Sequence, residues 1–281
     1  MATLPPALWA IAYTIAKPAM QTFPPMFLMA IIYAVTALAL YRPSVGRNTP
    51  LWALIAAATL GGSLQSALIF CGISLVPSTM AVLTVQSQVP FAVLAAWAIG
   101  QERMNGRRLG GIALSLAGVA LVVGMPASVG EFRGLLLIVL GTLCWGVAQG
   151  IIRATSTDSG RQLMGMMSAI AAPQLLAMSF LLETGQRQSL SSAGLYDWTG
   201  VAVLALGGFV AAYSIWYGLL RRYRIDQVAP FALLMPVTGV LIAFLFLNER
   251  PSPAVLAGGA VILIGLGLVV RAPTKTDLQA A

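Results

Sequence analysis

Residues 102–123 read ERMNGRRLGGIALSLAGVALVV, and residues 249–270 read ERPSPAVLAGGAVILIGLGLVV. Aligned from their leading Glu-Arg pairs, they agree at Glu102/Glu249, Arg103/Arg250, Leu109/Leu256, Gly111/Gly258, Ala113/Ala260, Leu116/Leu263, Gly118/Gly265, Leu121/Leu268, Val122/Val269 and Val123/Val270. Ten of 22 positions match, where the few residue types that fill apolar helices would give roughly three by chance. Self-similarity of this kind is the first thing to settle in a sequence, because it decides the architecture. The correspondence extends backwards with small gaps. Gly61/Gly207, Gly62/Gly208, Ile69/Ile215, Gly72/Gly218 and Pro90/Pro236 agree, and Phe70/Trp216 is an aromatic pair. Further back, Trp9/Trp145, Ala12/Ala148 and Ile15/Ile151 agree, and Lys17 meets Arg153. Residues 23–41 and 162–182 show no convincing alignment.

The chain has 281 residues, 59% of them apolar and 9% charged, with a mean hydropathy of +0.88. A soluble domain carries about 25% charge. So much apolar surface has no solvent but lipid. Cut at charges, prolines and polar clusters, the chain falls into apolar pieces at 5–21, 23–41, 50–72, 77–99, 107–123, 134–153, 162–182, 198–219, 226–247 and 253–270. Each is near the ~20 residues that a membrane-crossing helix needs. The pieces are too long for strands and lack two-residue alternation, so helices are preferred over a barrel. The expected fold is an all-α integral membrane protein of ten transmembrane helices. Residues 1–123 form one five-helix repeat, 124–133 a linker, 134–270 a second repeat and 271–281 a tail. Five spans per half is odd, so the second repeat enters the membrane inverted.

The basic residues set the orientation. Arg42, Arg47, Arg103, Arg107, Arg108, Arg153, Arg161, Arg221, Arg222, Arg224, Arg271 and Lys275 fall on one side of the ten spans. Lys17, Arg133, Arg187 and Arg250 fall on the other. The lysine- and arginine-rich side is cytoplasmic, so both termini and the tail are expected inside. The net charge of +8 lies in gaps too short for a nucleic-acid-binding domain. The apolar N-terminus lacks a basic region before it and does not read as a signal peptide. Cys71 and Cys144 lie within apolar runs and read as small packing residues.

The tryptophans in the first span of each half, the proline in the fourth, the Glu-Arg pair after it and the Gly-x6-Gly spacing in the fifth resemble the EamA family of the drug/metabolite transporter superfamily. Within it the chain most resembles YddG-type bacterial amino-acid exporters. The resemblance covers almost the whole chain. It implies a central cavity lined mainly by spans 1, 3, 4, 6, 8 and 9, and a multi-pass protein of the bacterial inner membrane.

The residues themselves narrow the chemistry. No Asp, Glu, Lys or Arg falls well inside a span, although intramembrane ionisable groups are the usual proton relays. The expected cargo is a small neutral or zwitterionic metabolite, in particular an aromatic or other apolar amino acid, moved by alternating access without a titrating carboxylate. Trp9, Tyr13, Trp145, Tyr213, Trp216 and Tyr217 sit deep in their spans and could form an aromatic-lined cavity. Gln65, Gln86 and Gln149 could hydrogen-bond a substrate. The competing readings are ordinary packing for the rings and interhelical bonds for the amides. Trp52, Trp97 and Trp198 lie at span ends and read as interfacial belt. Pro90 and Pro236 each remove a helix hydrogen bond and are candidate hinges. Gly111, Gly118, Gly258 and Gly265 mark faces for close helix packing. The Glu-Arg pairs read as loop salt bridges or caps. The absence of histidine removes HExxH and Ser-His chemistry, so an enzyme is not expected, nor a cofactor or metal. Export of drugs or lipid-like metabolites, or carriage of sugar phosphates, remains open, though phosphate would need buried basic groups. Two halves already supply the pair that alternating access needs, so a monomer is expected.

Overall fold

The computed structural model describes residues 2–100, 104–124, 126–220, 222–223 and 228–270, and within them the chain is helical with no strand. The helices are α1 Leu4–Thr22, α2 Pro25–Leu40, α3 Leu51–Leu75, α4 Ser78–Ala98, α5 Gly106–Val123, α6 Val129–Thr155 and α7 Gly160–Leu182. There follow α8 Gln186–Ser192, α9 Leu195–Leu219, α10 Pro230–Phe246 and α11 Pro253–Val270. Among the described residues, seven of these (α3, α4, α5, α6, α7, α9 and α11) are long and apolar enough to cross a membrane. The apolar α2 and α10 are shorter. α1 has 19 residues, but Pro5, Pro6, Lys17 and Pro18 dilute its apolar character.

Several boundaries differ from the sequence expectation. α6 begins at Val129, inside the stretch read as a linker at 124–133, because Ser128 caps it. The Ser128 hydroxyl accepts the Glu131 N–H at 3.1 Å, and the Glu131 carboxylate accepts the Ala127 N–H at 2.7 Å. Two groups thus trade bonds at a helix start, in the manner of a capping box. α8 was not foreseen. Its residues are polar, and it starts after Gly185, whose φ of 93° is open to glycine without strain. Glu102, Arg103 and the tail at 271–281 lie outside the described residues.

Two helices are interrupted in the same way. α3 carries a π-helical segment at Thr59–Leu64, and α9 carries one at Val203–Ala211. Each contains a Gly-Gly pair, Gly61-Gly62 and Gly207-Gly208. π segments are rare and cluster at functional sites. Two further helices are interrupted ahead of proline. α4 loses its regular ladder at Gln86–Ser87, where Gln86, Ser87 and Val89 donate to carbonyls only three residues back. Pro90 follows, buried. In α10 a 3₁₀ segment, Ala229–Leu233, precedes buried Pro236. Proline has no N–H to give and its ring crowds the preceding turn, so the tighter turns sit where the ladder is already broken.

Packing is reciprocal. α1 lies against α9 and α10, and α6 lies against α3 and α4. α2 pairs with α7, and α5 with α11. Small residues permit the close approaches. A Cβ on Gly61 would meet the Ala148 methyl at 2.6 Å, and one on Gly208 would meet the Ala12 methyl at 2.6 Å. Leu38, Phe180, Leu181, Leu241, Phe244 and Ile264 remain exposed. Among helices of this composition those faces are suited to lipid.

Candidate functional site

α1 and α9 build a cluster of aromatic rings. Trp9 and Tyr13, four residues apart, share one face of α1. The Trp9 indole lies 5.3 Å from the Tyr213 ring and 5.4 Å from Trp216, edge-on to the latter. Tyr213 is 6.0 Å from both Tyr217 and Phe209, and Phe209 is 5.5 Å from Tyr33 of α2. Tyr13 stacks on Phe70 of α3 at 5.8 Å. Ring pairs at these separations add about 0.5–1.5 kcal/mol each beyond their burial. The structure therefore brings Trp9, Tyr213, Trp216 and Tyr217 together and sets Tyr13 beside a different ring. Trp9, Tyr13, Tyr213, Trp216 and Tyr217 are only partly buried.

The cluster holds an unanswered donor. Trp9 Nε1 is buried and has no hydrogen-bond partner among the described residues. Leaving such a group unpaired costs about 1–3 kcal/mol. The Thr84 hydroxyl in α4 is in the same condition. Among the predicted amides, Gln65 is buried and its Oε1 accepts from the Ser66 hydroxyl at 3.2 Å, while Ser66 also meets the Tyr33 hydroxyl at 3.0 Å. Gln86 is turned back on its own helix, its Nε2 donating to the Val82 carbonyl at 3.2 Å. Gln149 forms no hydrogen bond among the described residues.

Trp145 and Gln149 sit on α6 between two contact faces. Gly141 meets Ile69 and the Gln65 carbonyl of α3, and Gly146 meets Phe91 and Ala92 of α4. At about 100° per residue, Trp145 and Gln149 fall in the wedge between those faces. Thr142 points the same way and bonds the Ser87 hydroxyl at 2.7 Å. No ring contact joins Trp145 to the Trp9 cluster among the described residues.

The glycines singled out on α5 and α11 face one another. A Cβ on Gly111 would stand 2.8 Å from the Gly265 carbonyl oxygen, and one on Gly118 would stand 2.7 Å from the Ile262 nitrogen. A Cβ on Gly265 would collide with the Ser115 nitrogen, and one on Gly258 would press on Val122. At Gly111, Gly118 and Gly265 the nearest atom is backbone, which does not yield.

Carboxylates at helix ends tie distant segments. Glu249 accepts the backbone N–H groups of Ser78 and Thr79 at 2.7 and 2.8 Å, and the Thr79 hydroxyl at 2.9 Å. An anion at the start of α4 is favoured by its unpaired N–H groups. Lys17 stands 4.0 Å from the same carboxylate and donates to the Val76 carbonyl at 2.8 Å. Asn248, with a φ of 57°, ends α10 in the left-handed region, and the Glu249 N–H donates back to the Ala243 carbonyl at 3.2 Å. That bond, with the left-handed Asn248, turns the chain back at the end of α10 and leaves the Glu249 side chain directed at α4. Glu183 likewise accepts the N–H groups of Met26 and Phe27 at 2.8 and 3.2 Å. Asp197 accepts the Thr22 hydroxyl at 2.7 Å.

Two open depressions lie at opposite ends of α2. One, of about 700 Å³, is bordered by Gln21, Thr22, Glu183 and Gln188, and the other, of about 600 Å³, by Tyr41, Arg47, Leu51 and Gln162. Neither is lined by a residue of the ring cluster.

Apolar helices long enough to cross a membrane, with a ring cluster between four helices and neutral polar groups beside it, fit a polytopic membrane protein. The chain belongs to the EamA-like transporter family, which it matches over residues 1–124 and 132–271. It is a transporter and not an enzyme, with a small molecule as its cargo and membrane lipid around it. It is 29% identical over 276 residues to the "Probable amino-acid metabolite efflux pump" of Escherichia coli, covering 95% of this chain and 92% of that one. It is 27% identical over 248 residues to the "Probable terminal-alkyne amino-acid exporter" of Streptantibioticus cattleyicolor, covering 86% and 80% of the two chains. A crystal structure of a protein 19% identical superposes with a TM-score of 0.66, over 96% of this chain and 98% of the other, and shows the fold.

Sequence reasoning missed Tyr33, Phe70 and Phe209 as members of the cluster. Phe70 carried a signal, its repeat pairing with Trp216. Tyr33 lies in the span that showed no alignment, and Phe209 lies in a π segment.

Proposed function

We propose that the protein exports amino acids with aromatic or other apolar side chains across the bacterial inner membrane. It does so by alternating access between two inverted five-helix halves, residues 1–123 and 134–270, as a monomer with both termini in the cytoplasm. The observation that carries the substrate class is the ring cluster around Trp9 with its unpartnered indole N–H. Ring faces take an apolar side chain or an ammonium group, and the N–H offers itself to an acceptor. The relatives' printed roles in amino-acid efflux and export favour the same cargo.

Ten spans are supported by α1, α2 and α10, which run beside the seven longer helices and complete the ten apolar pieces of the sequence. The inverted repeat is supported by the matched sequences, by π segments at matched Gly-Gly pairs, by proline-associated breaks in α4 and α10, and by the reciprocal packing of α1 and α6. Cytoplasmic termini are supported by the uneven placement of lysine and arginine. Trp9, Tyr13, Gln65, Gln86, Trp145, Gln149, Tyr213, Trp216 and Tyr217 are proposed as the substrate-facing set. Pro90 and Pro236 are proposed as hinges, and the four glycines as the α5–α11 packing face.

The test is release of preloaded radiolabelled amino acids from liposomes containing the purified protein, with no ion gradient imposed. Release of aromatic and branched amino acids, weakened by Trp9→Ala, Trp145→Ala or Gln149→Ala, is the expected result. Folded protein that releases no amino acid would overturn the assignment and shift it toward drugs or lipid-like metabolites.

A further inference from the structure

The bonds around Glu249 describe a carboxylate site with a carboxylate already in it. Its donors are the Ser78 and Thr79 N–H groups and the Thr79 hydroxyl, and the Lys17 ammonium stands 4.0 Å away as an ion-pair partner. The Ser78 hydroxyl is fully buried and has no partner among the described residues, so the site holds an unused polar group beside its occupant. Lys17 is one helical turn beyond Tyr13 and two beyond Trp9. At 100° per residue it lies within about 80° of Trp9 around α1, and about 6 Å along the axis from Tyr13. The Tyr13 ring, stacked on Phe70, and the cation thus occupy one side of one helix, with a rise of about 6 Å between them, comparable to the span from the ring to the carboxylate of an aromatic amino acid. The Trp9 end of the cluster lies about 12 Å along the axis.

We infer that this site receives the carboxylate of the transported amino acid, and that Glu249 is its internal stand-in while the site is closed. The inference rests on the amino-acid reading above and assigns Lys17 and the start of α4 to the substrate's carboxylate. Glu249 belongs to the segment between α10 and α11, whereas Lys17, Ser78 and Thr79 belong to α1 and α4. While Glu249 occupies the site it ties those two parts of the chain together. An incoming carboxylate satisfies the same donors, so Glu249 leaves without orphaning them, and the tie is released as cargo arrives. Because no bond is made or broken except hydrogen bonds and ion pairs, one carboxylate simply replaces another. A lysine ammonium carries three donors, and the bond from Lys17 to the Val76 carbonyl leaves it others for either occupant.

The test is exchange of labelled phenylalanine in liposomes carrying the full-length protein, competed by unlabelled phenylalanine, its amide and its decarboxylated amine. The acid should compete about tenfold better than the amide, the scale of one hydrogen bond to a charged group. Lys17→Gln should erase most of that preference while the amide competes as before, and Lys17→Arg should restore it. Glu249→Gln should make the acid compete better, because the internal rival has lost its charge. Wild-type protein that exchanges phenylalanine yet treats acid and amide alike would overturn the inference and leave the amino-acid reading standing. So would a folded Lys17→Gln protein that keeps the full preference. Wild-type protein that exchanges neither compound would overturn both. The acid-to-amide comparison needs no variant, so it decides the matter even if Lys17 proves necessary for folding.

Discussion

The Trp9 indole and the Tyr213 ring lie 5.3 Å apart at 59°, which joins the first helix of the chain to one near its far end. Trp9→Ala removes this pair and the contact with Trp216. For a ring only partly buried, a loss of about 3 kcal/mol is expected, the low end of tryptophan truncations. Melting followed by size-exclusion in detergent should fall accordingly, and release of aromatic amino acids should drop at least about tenfold. Trp9→Phe should keep much of the stability and still impair transport, since it retains a ring and removes the N–H.

Gly118 faces the backbone of α11. Gly118→Val would push two methyl groups against the Ile262 nitrogen and the Gly258 carbonyl, where a Cβ already stands within 2.9 Å. Overpacking of this kind costs about 1–3 kcal/mol, or roughly 5 °C in melting temperature for a chain of this size. Gly267→Ala is the matched control, because nothing lies within 4 Å of a Cβ there.

Pro90 and Pro236 each follow tightened turns in α4 and α10. Replacing both with alanine returns the missing N–H groups and favours straight helices. The double variant should fold and bind cargo but release it several-fold more slowly. Unaltered rates of release would remove the hinge assignment.

Asp158, between α6 and α7, offers a pH test. Burial pushes its pKa up, but hydrogen bonds from the Thr49 hydroxyl and from the backbone N–H groups of Asn48 and Thr49 outweigh that and hold it below the usual carboxylate range. A carboxyl group with a depressed folded pKa stabilises the fold above the ordinary value near 4, and loses that contribution as pH falls through the folded value. Asp158→Asn should therefore melt about 2 °C below wild type at pH 7. The gap should narrow as the pH is taken below about 4. A gap that stays constant with pH would show that the charge of Asp158 contributes nothing.

Asn248 aims Glu249 by adopting a left-handed backbone. Asn248→Gly should be tolerated, whereas Asn248→Val should cost about 1–2 kcal/mol because its branched side chain disfavours that region. The valine variant should also mimic Glu249→Gln in exchange assays, since the carboxylate would be misdirected.

The parts of this molecule that were legible in the sequence are those governed by local rules. Hydropathy and length locate the long helices, and the spacing of Gly111 and Gly118 against Gly258 and Gly265 marked residues that the structure sets face to face. Deep aromatics in the first and eighth apolar pieces pointed to Trp9, Tyr213, Trp216 and Tyr217, which do meet. What was not legible depends on contacts distant in sequence or on backbone geometry. Nothing near Glu249 announces that its partners are Ser78 and Thr79, so it read as a loop salt bridge or cap with no partner helix assigned. Gln86 stood out because an amide in an apolar run is conspicuous, but its bond to the Val82 carbonyl, within its own turn, had no sequence signal. Ser128 and Glu131 did spell out a helix start, and placing the linker across them overlooked a signal that was there.

The π segments have a consequence for how α3 and α9 are aimed. Each accommodates more residues per turn than the α-helix around it. Deleting a single residue between Thr59 and Leu64 could restore an ordinary ladder without loss of backbone bonding. It would also swing everything from Gln65 to Leu75 by about 100° about the helix axis, carrying Phe70 away from Tyr13 and Ser66 away from Tyr33. The same deletion in Val203–Ala211 would turn Tyr213 and Trp216 from Trp9. The composition of the chain would be almost unchanged, yet the rings would no longer meet. Chain length, as much as residue choice, therefore points these side chains inward.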